Sequence, residues 1–351
     1  GKTTRVPLAL LQHIPQGRII MLEPRRLAAV SAARYMAGLL GEPVGQTVGY
    51  TIRFERKLSS ATRIEVVTEG VLTRRLQNDP ELVGVACVIF DEFHERSLHA
   101  DLGLALCLES QASLRPDLKL LVMSATLEHG PVARLLGNAP VLVSEGRQYP
   151  VELRYPAAIS RQPLVKQMAA AIRSALADQG GDLLAFLPGS AEIRAVAHEL
   201  SGLTQATVCP LYGDLPFEQQ QRAILPGPER RVVLATSIAE TSLTIERVRI
   251  VVDSGLSRRL QLDPATGLER LVTVRASRAQ AEQRTGRAGR TAAGICYRLF
   301  SSQTLQALTP CSPPEIMTAD LAPLLLELVV WGGATARSEE HTSELQSRQS
   351  I

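Results

Sequence analysis

The sequence predicts an α/β protein built from two successive parallel-sheet units, and three observations carry that expectation. Short β-branched runs bounded by glycine and proline alternate with longer helix-period segments, the pattern of parallel strands joined by covering helices. The alternation stops and restarts after Tyr149-Pro150. A length of 351 residues, 45% hydrophobic and 21% charged, suits about two globular domains.

In the first unit the apolar runs place strands at 18–22, 63–68, 87–91 and 118–124, with a weaker one at 141–143. Helical periodicity falls between them at 25–40, 70–78 and 100–113. In the second unit strands are expected at 183–187, 206–210, 231–235 and 250–253, and helices at 163–179, 190–200 and 216–224. Beyond Val252 the character changes. The runs 258–262 and 268–274 flank Asp263-Pro-Ala-Thr-Gly267 and read as a β-hairpin. After Pro313-Pro314 a helix is expected over 318–330, apolar on most faces and so in need of a covering partner. From Ala336 onward periodicity and nearly all large apolar residues vanish, and this tail reads as disordered.

The 38 basic residues outnumber the 35 acidic ones by only +3, so total charge does not announce nucleic acid. Only Lys2, Lys57, Lys119 and Lys166 are lysines; the rest are arginine, the side chain suited to bidentate phosphate contact. No run approaches the roughly 18 apolar residues of a membrane span, and no signal-peptide pattern opens the chain. The five cysteines are odd in number and far apart, which fits a reduced, cytoplasmic compartment rather than a disulfide framework or a zinc site.

Three motifs carry chemistry. Residues 1–4, GKTT, match the end of a phosphate-binding loop, in which Lys2 meets the β/γ-phosphates and a hydroxyl holds Mg²⁺. Val88-Ile-Phe-Asp91-Glu92-Phe93-His94 is an apolar strand that delivers two adjacent carboxylates at its C-terminal end, where open α/β sheets bind ligands. One carboxylate can hold a metal while its neighbour polarises the attacking water. Gln283-Arg-Thr-Gly-Arg-Ala-Gly-Arg290 spaces arginines three apart, so one helix face is expected to approach a ligand, with guanidinium groups neutralising a transferred phosphoryl group. Together these imply a nucleotide clamped between two domains.

With EPRRLAA (23–29), TEG (68–70), SAT (124–126), FLPG (186–189) and TSIAETSLTI (236–245), these motifs stand in an order that resembles the DEAH/RHA family of superfamily 2 helicases. DEFHERSL, LKLLVMSATL and SEGRQYPVE are most similar to its bacterial HrpB-type RNA helicases. The resemblance implies two tandem RecA-like domains and the start of a winged-helix domain. Its boundaries are 1–149, 150–310 with a hairpin at about 254–275, and 311–336, with 337–351 a non-native tail that looks like a translated sequencing-adapter oligonucleotide. It further implies that Gly1, Lys2, Thr3 and Thr4 bind ATP phosphates, that Thr3, Asp91 and Glu92 serve Mg²⁺, and that Glu92 is the general base. His94, Ser124 and Thr126 would couple the metal site to the second domain. Gln283 would orient water, Arg287 and Arg290 would be arginine fingers, and Arg34, Ser242 and Thr244 would line the nucleotide site. Arg34 would share the adenine with position 224, here isoleucine.

For nucleic acid, the family resemblance points to Arg25, Arg26, Arg53, Thr68, Gly189 and Thr241 as backbone contacts, hence sequence-tolerant, salt-sensitive binding of single-stranded RNA. The implied activity is ATP-driven 3′-to-5′ translocation and unwinding. Two alternatives stay open: an RNA clamp without productive hydrolysis, and a helicase acting on DNA. Protein cofactors are possible, and the sequence names none. Because the upstream loop glycines are absent from the sequence, residues 1–336 are expected to bind ATP weakly; micromolar affinity by calorimetry would contradict this.

Overall fold

The computed structural model describes residues 2–125, 130–144, 146, 149–158, 160–241, 245–263 and 265–332. Gly1, Thr126, Ser242, Thr244 and the tail 337–351 lie outside them. The chain divides into two compact units. The first comprises the described residues of Gly1–Ala125, Gln261–Glu269 and Pro313–Ile351, the second those of Thr126–Leu260 and Arg270–Ser312.

The first unit runs α1 (Lys2–His13), β1 (Arg18–Leu22), α2 (Arg26–Leu39), β2 (Val48–Ile52), β3 (Glu55–Lys57), β4 (Ile64–Val67), α3 (Glu69–Asn78), β5 (Val85–Phe90), α4 (Leu98–Ser113) and β6 (Lys119–Val122). Its sheet order is β3-β2-β4-β1-β5-β6, parallel except for the β2/β3 pair. Ile19, Ile20, Met21, Val88, Ile89 and Phe90 are fully buried, as central strands covered on both faces require. The strand β2 was hidden in the sequence by Gly49. A Cβ there would stand 2.2 Å from the Lys57 carbonyl oxygen, so glycine lets β3 fold back closely.

The second unit runs α5 (Gly130–Leu135), β7 (Val151–Arg154), α6 (Leu164–Asp178), β8 (Asp182–Phe186), α7 (Ser190–Glu199), β9 (Thr207–Leu211), α8 (Phe217–Ile224), β10 (Arg231–Ala235) and β11 (Val248–Asp253). The hairpin β12 (Leu256–Asp263) and β13 (Leu268–Arg275) follows, then α9 (Arg278–Gly286), β14 (Gly294–Arg298) and α10 (Ser302–Gln306). The sheet order β7-β14-β11-β8-β10-β9 is parallel throughout. The strand expected at 141–143 does not form. Val141, Leu142 and Val143 are exposed, Leu142 at 95%, so the run buries nothing that would offset ordering its backbone.

Grouped with the first unit, a 3₁₀ turn at Glu315–Met317 leads to α11 (Ala322–Trp331), which lies against α4. Trp331 Nε1 donates to Glu109 at 3.0 Å and Gln77 Nε2 to the Glu327 carbonyl at 3.2 Å. Leu325, Leu326, Val329 and Val330 remain exposed, as the apolar sequence of this helix implies.

Asp182 and Arg231 fix the start of β8 against β10 deep in the second unit. Arg231 donates to Asp182 Oδ2 from Nε at 2.9 Å and Nη2 at 2.8 Å, and both residues are buried. Removing one partner strands the other charge. Asp182→Ala is therefore expected to cost about 3–5 kcal/mol in denaturant unfolding, whereas a value near zero would show that the pair is dispensable.

Candidate nucleotide and nucleic-acid sites

Parallel strands send their C-terminal ends to one edge of each sheet, and that edge gathers the polar groups singled out in the sequence. In the first unit β5 ends at Phe90, and Asp91 follows at 6% exposure. Its backbone N–H donates to the Leu22 carbonyl at 3.1 Å, and its Oδ1 accepts from the Glu92 N–H at 2.8 Å. Asp91 Oδ2 is buried and has no hydrogen-bond partner among the described residues. Such an atom is costly unless a cation or its water shell completes it.

Glu92 adopts a left-handed backbone, φ 50°, at a cost of roughly 1–2 kcal/mol. Strain of this kind, next to two carboxylates at a strand end, is characteristic of a working site. A 3₁₀ turn, Phe93–Glu95, follows. His94 Nδ1 accepts from the Ala125 N–H at 3.3 Å and stands 3.5 Å from Glu92 Oε2. The ring proton therefore belongs on Nε2, which is buried and unpartnered among the described residues. Burial lowers the His94 pKa, Lys2 and Arg25 push the same way, and Glu95 and Asp91 oppose them. His94 is thus a neutral ring with a donor to spare.

Lys2 opens α1 and donates through Nζ to the Ser124 carbonyl, which follows β6. Thr3 and Thr4 occupy the same half-buried first turn. The lysine, the strand-end carboxylates and Ser124 thus share one edge of the sheet. Arg34 is exposed on α2 and acts electrostatically on the Tyr50 hydroxyl. That hydroxyl donates to Glu55, and burial with this bond pushes its pKa up to about 12.

The nucleic-acid candidates of this unit cap its helices or stand exposed. Arg25 is the N-cap of α2 and pairs with Glu95 at 3.0 Å, while Arg26 is exposed beside it. Thr68 is the N-cap of α3. Arg53 is exposed and stacks 4.8 Å from the centre of the Phe54 ring.

In the second unit Gln283 is half-buried on α9 and Arg290 is exposed beyond it. The expectation that the arginines share one ligand-facing helix surface is corrected here, because α9 ends at Gly286 and two of the arginines turn inward. Arg284, 1% exposed, donates from Nε to Glu240 Oε1 at 2.7 Å and from Nη1 to Asp253 Oδ1 at 2.7 Å, and lies 5.1 Å over the Phe186 ring. Arg287 is buried and donates to the carbonyls of Glu240, at 2.9 Å, and Thr241. Gly289 serves the protein's own chain rather than a ligand, since a Cβ there would meet the Tyr149 carbonyl oxygen at 2.5 Å. Gly189, N-cap of α7, lies under the Arg258 guanidinium, which pairs with Glu192 at 3.0 Å.

The sequence reading missed Glu240 and Arg284 as the buried pair that anchors this loop. A glutamate inside TSIAETSLTI and a second arginine inside QRTGRAGR were the available signals, but neither reveals burial.

A lysine and paired carboxylates at one edge of the first parallel sheet, with a glutamine-arginine segment on and just after α9 in the second unit, are the arrangement of a helicase-class core. Two family models agree: DEAD/DEAH box helicase matches residues 1–135, and helicase conserved C-terminal domain matches 166–292. The chain carries a DEAD/DEAH-box helicase domain and a helicase C-terminal domain. It is 51% identical over 337 residues to the ATP-dependent RNA helicase HrpB of Escherichia coli (strain K12), covering 95% of this chain and 42% of the relative. It is 38% identical to the mouse (Mus musculus) ATP-dependent RNA helicase DHX33, covering 94% of this chain and 50% of the relative. A crystal structure of Escherichia coli DEAH/RHA helicase HrpB superposes with a TM-score of 0.88 over 95% of this chain and 43% of that chain. The chain thus spans half or less of the length of these relatives.

Glu69, in the TEG segment, gives this edge a pH signature. Burial pushes its pKa up to about 7, with Glu95 and Glu315 adding repulsion against the Ser97 hydrogen bond and Arg25. The unfolded chain ionises first as pH rises, so stability is lost between its ordinary value of 4.5 and about 7 and is level above that. Glu69→Gln is expected to raise the thermal midpoint at pH 8 and to leave it nearly unchanged at pH 4.5. An equal shift at both would contradict this.

Proposed function

We propose that the chain is the ATP-hydrolysing core of an RNA helicase, which couples hydrolysis to 3′-to-5′ movement along single-stranded RNA. The observation that carries this reading is the strand-end pair Asp91-Glu92, one carboxylate oxygen buried without a partner and the other residue strained, on the edge shared by Lys2.

In this reading residues of both units take part in ATP hydrolysis. Lys2, Thr3 and Thr4 neutralise and orient the phosphates, and Glu92 accepts a proton from the attacking water. Gln283 orients that water, exposed Arg290 neutralises charge that develops on the γ-phosphoryl group, and Arg287 joins it on leaving the carbonyls of Glu240 and Thr241 that hold it in this structure. His94, a neutral donor at Nε2, offers a hydrogen bond that can report the state of the carboxylate edge. Ser242 and Thr244 line the nucleotide and Thr126 completes the SAT segment, three roles that rest on the family resemblance.

Among the described residues no cluster of three or more His, Cys, Asp or Glu side chains has the arrangement of a metal cage. That suits Mg²⁺, which keeps most of its waters and takes few protein ligands. Thr3 and Asp91, the latter through its unpartnered Oδ2, would hold it, and the ion would supply charge neutralisation at the β- and γ-phosphates. Arg25, Arg26, Arg53, Thr68, Gly189 and Thr241 would contact the RNA backbone, which fixes position without reading bases. No helix of the described residues is long and apolar enough to cross a membrane, and a cytoplasmic location fits the five free cysteines.

In the full-length protein Glu92→Gln is expected to lower turnover by about a hundredfold or more, the range of general-base catalysis, with ATP affinity retained. Unchanged turnover would remove Glu92 from its role and favour a clamp without productive hydrolysis. Stimulation of hydrolysis by a poly-ribonucleotide over the matching poly-deoxyribonucleotide is expected; the reverse order would make DNA the strand.

A further inference from the structure

Arg25, and Glu69 next to Thr68, are bonded through their side chains to the short segment that follows the Asp91-Glu92 pair. Arg25, N-cap of α2, pairs with Glu95 at 3.0 Å. Glu69, adjacent to Thr68 at the start of α3, accepts a hydrogen bond from the Ser97 hydroxyl. Glu95 and Ser97 lie three and five residues after Glu92, beyond the 3₁₀ turn that carries His94. Ser97 has a second bond: its Oγ caps α4 by accepting from the Ala100 N–H at 3.2 Å.

The far side of the segment is also held. Glu315 accepts from the Leu98 N–H at 2.7 Å, and its own N–H donates to the Arg96 carbonyl at 3.0 Å. Arg96, in the left-handed region at φ 49°, is braced by Asp101 at 3.1 Å. Residues 92–98 therefore have two strained positions, Glu92 and Arg96, and are held in place from outside by Arg25, Glu69 and Glu315. A backbone in such conformations keeps them only while its surroundings over-determine them.

We propose that Glu95 and Ser97 are positioning residues through which an RNA backbone at Arg25 and Thr68 sets the turn that presents Glu92 and His94, so that RNA accelerates hydrolysis. A phosphate that engages Arg25 moves the guanidinium that Glu95 holds, and a contact at Thr68 shifts the start of α3 and with it Glu69. Through these two bonds both displacements are passed to residues 95–97 and draw the turn toward the geometry that hydrolysis needs. This inference rests on the hydrolytic, RNA-dependent reading above.

The test measures ATP hydrolysis by the full-length protein with and without saturating poly-uridylate, together with poly-uridylate affinity, in wild type, Glu95→Gln, Ser97→Ala and Ser97→Thr. Expected is a loss of about fivefold or more in RNA-stimulated kcat for Glu95→Gln and Ser97→Ala, the lower end of ordinary coupling factors, with RNA-free kcat held within about twofold. Ser97→Thr, which keeps both the cap and the hydroxyl, is expected to retain stimulation. Stimulated rates that match wild type, or basal and stimulated rates that fall together, would overturn the relay, the second pattern being that of a merely structural cap. Absence of RNA stimulation in the wild type would instead overturn the RNA-dependent reading, and the relay with it.

Discussion

The parallel ladder of the first sheet does not stop where its strands are counted out. The Asp91 N–H donates to the Leu22 carbonyl at 3.1 Å, the Met123 N–H to the Phe90 carbonyl at 2.8 Å, and the Phe93 N–H back to the Met123 carbonyl at 3.1 Å. These bonds stitch β1, β5 and β6 together past their ends and hold the Asp91-Glu92 turn in the backbone it adopts. Because the strands are parallel, Arg25, Thr68, Asp91 and Ser124 all follow C-terminal ends on the same edge. The sheet therefore concentrates charge at one border, and the chemistry of that border follows from how each charge is satisfied.

The two units satisfy it differently. In the second, Arg284 is enclosed between Glu240 and Asp253, and Arg287 is held by the carbonyls of Glu240 and Thr241. Buried arginine is tolerable only when its donors are matched in this way, and the result is a loop after β10 fixed to α9. In the first, the edge keeps unmatched capacity in Asp91 Oδ2 and His94 Nε2. The second unit also holds buried atoms without a partner among the described residues, at Glu192 Oε2, Asp253 Oδ2 and Arg298 Nε, so what sets the first edge apart is that Asp91 Oδ2 stands at a strand end beside the left-handed Glu92.

Much of this was legible in the sequence where physical signals are strong. The strands Arg18–Leu22 and Arg231–Ala235 coincide with the apolar runs that announce them, because central parallel strands are buried on both faces. The carboxylate pair was legible for the same reason: an apolar run that ends in Asp-Glu has its chemistry at the C-terminal edge. Edge and partly polar strands were not. β3 is Glu-Arg-Lys and fully exposed, and β7 and β14 mix small or charged residues with apolar ones. The three apolar residues at 141–143 misled in the opposite direction, because hydrophobicity without a pairing partner does not make a strand. Burial of arginine was hidden as well. Arg284, Arg287 and Arg290 are spaced alike, yet two face the core and one is exposed, a distinction made by Glu240, which lies more than forty residues earlier in the chain.

Mn²⁺ in place of Mg²⁺, followed by electron paramagnetic resonance on the full-length protein with ADP, reads the role of the unmatched Asp91 oxygen directly. Wild type is predicted to immobilise Mn²⁺ in the presence of nucleotide, and Asp91→Asn to weaken that retention by about tenfold or more while leaving metal-free ADP binding in place. Equal Mn²⁺ retention by the two proteins would contradict the assignment of this strand end as the metal-nucleotide edge.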